Sequence, residues 1–207
     1  MEKIKSITIF NIRHHAMLST LVVVIILLIT PILFGTSQLD LTESAILLEM
    51  FVSLIGIVLI TPVFQPEHDD AIRELVSSKY VSTNLVYFIR MTYAAILIIV
   101  FTGLFAVYLR MRQCDITFLL YLGTVANAVF LGALGMMTAA LTNNTVIAYM
   151  IPLVYYALNY GAGDKLGNYY LFSMCISDFT PKLWLGATGI LLIFSALIIK
   201  KVERRLV

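Results

Sequence analysis

Glu67, His68, Asp69 and Asp70 stand side by side, four residues of types that bind metal ions or move protons. Their spacing argues against a shared ion, because neighbouring positions on a helix point in different directions. No metal site is expected from them. The three histidines, His14, His15 and His68, all lie at or beyond the edges of apolar runs. No GxxxxGK[ST], HExxH or GxSxG occurs, so the chain carries no nucleotide-binding loop, zinc-protease helix or hydrolase elbow. Cleavage inside a membrane needs a Ser–His pair, two aspartates or a metal within the apolar segments, and no aspartate lies there. The chain is therefore not expected to be an enzyme by itself, or to hold a cofactor.

A few polar residues do sit inside apolar runs. Glu49 lies about one turn inside the end of one of them, with Glu43 nearby. Its side chain either reaches the outer headgroups, or it lines a translocation path or pairs across an interface. Asn127 and Asn159 either hold helices together or touch cargo. Cys114 and Cys175 form no CxxC. Both are expected on the same side of the membrane, which permits a disulfide between them.

These residues are carried by membrane helices. Of the 207 residues, 60% are hydrophobic and 13% charged, and the net charge is +2. Runs of about 20 apolar residues mark membrane spans, and a charge this small gives no nucleic-acid signal. The pattern predicts one transmembrane domain over residues 1–207, with spans at about 16–34, 45–63, 89–109, 116–141, 146–160 and 184–199. The first run is too long for a signal peptide and lacks an A-x-A-like site, so a retained span is expected.

Orientation follows from the loop cations. With the N-terminus inside, Lys3, Lys5, Arg13, Arg73, Lys79, Arg90, Lys200, Lys201, Arg204 and Arg205 are cytoplasmic. Arg110, Arg112, Lys165 and Lys182 then face out. Ten against four places both termini in the cytoplasm.

Two connections are more than simple loops. QPEHDDAIRELVSSKY places Ile72, Leu75, Val76 and Tyr80 on one helical face, with Glu67, Asp69 and Asp70 at the N-terminal end and Arg73 and Lys79 further along. It is expected to be a short amphipathic helix, about 66–81, on the cytoplasmic surface. It is either a solvated connector or an element that docks a soluble partner. Residues 161–183 are long for an outer loop and contain YYLFSMCI, which is too short to cross and is read as interfacial or re-entrant. In span four, Ala128, Gly132, Gly135 and Ala139 share a face suited to close helix packing, within one subunit or between two. Tyr149, Tyr155, Tyr156, Tyr160, Tyr169, Tyr170 and Trp184 cluster around the last two spans, where some are expected to form an interfacial belt.

This layout is an all-α polytopic membrane protein with six transmembrane helices. A cytoplasmic amphipathic helix joins spans two and three, and an outer re-entrant segment joins spans five and six. It resembles the membrane subunit of type-2 ATP-binding-cassette (ABC) exporters. Local landmarks add to the likeness: Glu67, then IRELVSS with Leu75 and Ser78, then Arg90, and outside DFTPKLW with Pro181 and Trp184. HDDAIRE and SSKYVS replace the family's usual glycine and proline.

The resemblance implies a coupling helix that sits in a groove of a separate cytoplasmic ABC ATPase, which would bind ATP and Mg. Docking would run through Glu67, Asp69, Asp70, Ile72, Arg73, Glu74, Leu75, Ser78 and Lys79. It also implies a second permease subunit, identical or homologous, and an interfacial helix over Ile4 to Arg13. Export of a peptide, lipid or hydrophobic compound across the cell membrane would follow. A non-transporting assembly, immunity or sensor subunit remains open as an alternative, as does an ion-driven carrier using Glu49.

Overall fold

The computed structural model describes residues 17–68 and 83–206. The expected interfacial helix over Ile4 to Arg13 lies outside them, as does the coupling stretch from Asp69 to Lys79. Among the described residues the chain is helical, with no strand. The α-helices are α1 (Met17–Phe34), α2 (Leu41–Met50), α3 (Ile55–Ile60), α4 (Thr83–Met111), α5 (Phe118–Thr142), α6 (Thr145–Ala162) and α7 (Thr180–Leu206).

Among the described residues, five segments are long and apolar enough to cross a membrane: Met17–Phe34, Leu41–Phe64, Val86–Met111, Phe118–Thr142 and Thr180–Glu203. Helix α6 has 18 residues and is not among the five. Four tyrosines and Asn159 lower its apolarity. Its outward side is nevertheless oily, with Val146, Met150, Val154 and Leu158 exposed. Exposed apolar side chains also cover α1, α4 and α7. Apolar surface on this scale is excluded from water but costs nothing in lipid, so this is a membrane protein.

Three of the helix ends are closed by local chemistry. Pro31 lies in the last turn of α1, and Gly35, at φ +63°, donates its N–H to the Pro31 carbonyl at 3.2 Å. Asp40 caps α2 with a reciprocal capping box: its side chain accepts from the Glu43 N–H at 2.8 Å, and Glu43 accepts from the Asp40 N–H at 3.3 Å. Asn144 caps α6 by accepting from Val146 and Ile147.

The segment Leu41–Phe64 is not one uninterrupted helix, as its apolar run suggests. It breaks at Phe51, passes through a 3-10 turn at Val52–Leu54, resumes as α3, and ends in a 3-10 helix over Thr61–His68. A break frees backbone carbonyls that lipid cannot satisfy. Here Ser53 Oγ donates to the Glu49 carbonyl, and the Tyr156 hydroxyl donates to the Met50 carbonyl at 2.7 Å.

Helix α5 is the hub, packed on α7, α6, α3 and the 3-10 segments of the second span. Its small residues make this possible. Ala128, Gly132, Gly135 and Ala139 are all buried. A Cβ on Gly132 would stand 2.5 Å from the Gly56 carbonyl oxygen and 2.7 Å from Ile60 Cβ, and one on Gly135 would strike Thr61. One on Gly56 would run into the Ala128 backbone. The face is therefore occupied by the chain's own second span.

Candidate functional site

Glu49 sits in the last turn of α2, with no solvent exposure. It does not reach outward to headgroups. It faces the segment between α6 and α7, which folds back among the helix ends. There Glu49 forms an ion pair with Lys182, which is 5% exposed. The carboxylate also accepts from the Met174 N–H at 3.1 Å, the Cys175 N–H at 3.2 Å and the Cys175 thiol at 3.1 Å. All its acceptor directions point to groups of the same chain. A buried charge is tolerated on those terms, paired and hydrogen-bonded.

Lys182 lies in the first turn of α7, whose helix starts at Thr180. The sequence reading of Lys182 as an outer-loop cation is corrected on this point. Asp178 Oδ1 accepts from the Thr180 N–H at 2.9 Å and starts the helix earlier than its apolar run does. Besides Glu49, the ammonium group donates to Asn127 Oδ1 at 3.1 Å and to the Leu171 carbonyl.

The two asparagines meet at one residue. Asn127 of α5 donates to the Leu171 carbonyl at 2.8 Å, while Asn159 of α6 accepts from the Leu171 N–H at 2.9 Å. Both are fully buried. Leu171 lies in an irregular stretch, where its buried amide depends on Asn159 and its carbonyl on Asn127 and Lys182. The asparagines supply what a neighbouring strand or helix turn would elsewhere.

The rest of the segment is packed just as closely. Leu171, Phe172, Ser173 and Met174 are buried. Phe172 receives Tyr156, Tyr160 and Tyr170 edge-on, at centroid distances of 5.3, 6.3 and 6.0 Å. Tyr155 donates to the Tyr169 carbonyl at 2.6 Å. Three tyrosines of α6 thus contact the segment, and Tyr169 and Tyr170 belong to it. Gly123 of α5 makes room, since a Cβ there would collide with Met174 Sδ and stand 3.2 Å from Lys182 Cγ.

Cys175 lies outside the spans, and burial followed by the neighbouring Glu49 charge pushes its thiol up to about 12. It is held as a protonated donor, not as a nucleophile. Cys175 and Cys114 are both free, so the disulfide that topology permits is not formed. Cys114 instead lies at the turn between α4 and α5, its thiol 3.8 Å from the Thr36 carbonyl.

A second polar group occupies the opposite ends of the helices. Lys200 of α7 donates to Asn143 Oδ1 and to Glu203 Oε2, the latter at 2.9 Å, and Asn143 donates to Glu203 Oε1 at 2.7 Å. Lys200 Nζ also stands 6.0 Å from the Phe64 ring, which meets Tyr87 edge-on at 4.7 Å. Arg90 of α4 donates to the Val63 carbonyl at 3.1 Å. The end of the second span is therefore gripped by α4 and α7 just before the chain enters the charged connector. The backbone of Glu67 belongs to the 3-10 helix there. The other residues assigned to docking, Asp69, Asp70, Ile72, Arg73, Glu74, Leu75, Ser78 and Lys79, lie outside the described residues.

Among the described residues no group of three or more His, Cys, Asp or Glu side chains is placed to hold a metal ion. The sequence picked out Glu49, Asn127 and Asn159 separately, and the fold brings them to one segment. It missed Lys182 and Leu171. One signal was available for Lys182: a lone basic residue and a lone acidic residue enter apolar runs from the same expected side. Compared with protein families, curated proteins and solved structures, the chain matches none.

Proposed function

We propose that this chain is the membrane permease subunit of a type-2 ABC exporter, driven by ATP hydrolysis in a separate cytoplasmic ATPase. In this reading α6 is a sixth crossing and both termini are cytoplasmic. The connector between the second span and α4 docks the ATPase. A second permease subunit completes the path, and the cargo is a peptide, lipid or hydrophobic compound.

The observation that carries the reading is the folding back of residues 163–176 against the ends of α2, α6 and α7 and the first half of α5, while the charged connector leaves from the opposite end of the second span. A permease worked from one side needs that asymmetry. Force enters at the connector, and the far end is closed by protein. The grip of Arg90 and Lys200 on the end of the second span offers a stiff route for such force.

The test is co-purification with the product of an adjacent ATPase gene, followed by export measured in cells. The expected result is a complex whose ATPase activity depends on this chain. Charge reversal of both Glu67 and Asp70 is expected to abolish export while membrane insertion persists. Absence of any ATPase partner overturns the proposal, and normal export from the double variant overturns docking through the acidic residues.

A second reading, a non-transporting assembly, immunity or sensor subunit, is favoured by one observation. Glu49, Asn127 and Asn159 are satisfied by the chain's own groups, with none aimed at a passing substrate. Crosslinking from Ser77 or Lys79 to a partner other than an ATPase would support it.

A further inference from the structure

We propose that residues 163–179 form a strap across one end of the helix bundle, that Glu49 and Lys182 are its catch, and that the strap lifts as a unit when the catch opens. The proposal stands whether or not the chain is an exporter.

The strap has bending points at both ends. Gly163 and Gly167 have φ of +60° and +53°, with open space around both, and Ser177 has φ of +60°. Between them the backbone makes only short 3-10 turns, at Gly163–Tyr169 and Ser173–Ile176. Such a segment changes direction by altering few dihedrals.

What holds it down is mostly borrowed. The amides of Leu171, Met174 and Cys175 and the carbonyl of Leu171 bond to side chains of α2, α5, α6 and α7. Lysine and glutamate reach the strap from different helices, α7 and α2. A small shift of one helix against the other therefore separates the pair and frees several backbone bonds together. The closed position is also imperfect. Ser173 is 1% exposed, and its hydroxyl has no hydrogen-bond partner among the described residues.

Cys175 reports the state of the strap. The full chain carrying Cys114→Ala, purified in detergent micelles, is treated with N-ethylmaleimide. Slow alkylation of Cys175 is expected. Asn127→Ala and Asn159→Ala each remove one of the bonds that hold Leu171 without removing the thiol's own partner Glu49, and each is expected to speed alkylation about tenfold, the equivalent of roughly 1.4 kcal/mol of easier opening. Folded variants that alkylate at the unchanged rate overturn the proposal.

Amide exchange of the unmodified chain decides independently of whether the variants fold. Leu171, Met174 and Cys175 are expected to exchange together and at least tenfold faster than residues 128–136 of α5. Exchange of the three only at the α5 rate would mean the strap opens only by global unfolding, and would overturn the idea.

Discussion

Helix α7 carries a buried lysine at each end, and the two are used differently. Lys182 neutralises a carboxylate from another span and holds a backbone segment that belongs to neither helix. Lys200 meets Glu203 three residues away on its own helix, and that carboxylate is 39% exposed. The first pair binds elements distant in sequence and excludes solvent. The second secures one helix to the Asn143 turn and the Phe64 ring, with water close by. Depth and sequence separation, more than the presence of an ion pair, decide how much of the fold depends on each.

The contrast is broken most sharply at Glu49. Glu49→Gln leaves Lys182 buried without a counter-charge, and removal of one member of a buried pair costs about 3–5 kcal/mol. A large drop in the thermal unfolding midpoint in detergent is expected, and an unchanged midpoint would show the pair to be dispensable. Asn127→Ala comes next, at about 1–3 kcal/mol, because the Leu171 carbonyl and the Lys182 ammonium each lose a partner in a buried site. Denaturant titration of the variant checks this.

A smaller, pH-dependent effect separates the two ends further. The Cys175 thiol is raised in the folded state, so between about 9 and about 12 the unfolded chain releases a proton that the folded chain keeps. Its contribution is complete below the unfolded value and lost as pH rises through that window. Cys175→Ser is expected to flatten the alkaline fall in stability, read as the unfolding midpoint across pH 8 to 11. The smallest effect belongs to the other end. Glu203→Gln is expected to change stability by about 0–1 kcal/mol, as for a partly exposed pair. A double-mutant cycle on Lys200 and Glu203 should give a coupling energy well below that on Lys182 and Glu49.

Helix existence was legible because apolar runs of span length have one physical solution in lipid. Phe118–Thr142 stands where the sequence predicts a span at 116–141, and the small-residue face of α5 could be read from its spacing alone. The break at Phe51–Leu54 was hidden because nothing local demands it. There is no Pro or Gly at the break, and the Tyr156 hydroxyl that satisfies Met50 lies 106 residues away. Lys182 was hidden for a related reason. A cation at the head of an apolar run resembles a loop residue until its partner is placed at the same depth. Asn127 and Asn159 stood out individually, but their shared target, Leu171, is an unremarkable leucine that matters through its backbone.

The distance along the chain between Glu49 and its partners has a bearing on synthesis. The Met174 amide comes 125 residues after the carboxylate it serves, and Lys182 comes later still. At about 5–20 residues per second, Glu49 spends roughly 6–25 s in a growing chain before any of its buried partners has been made. During that interval the first spans cannot settle in their final places without enclosing an uncompensated charge. Helix α7, made long after the second span, is thus the one that completes its interior.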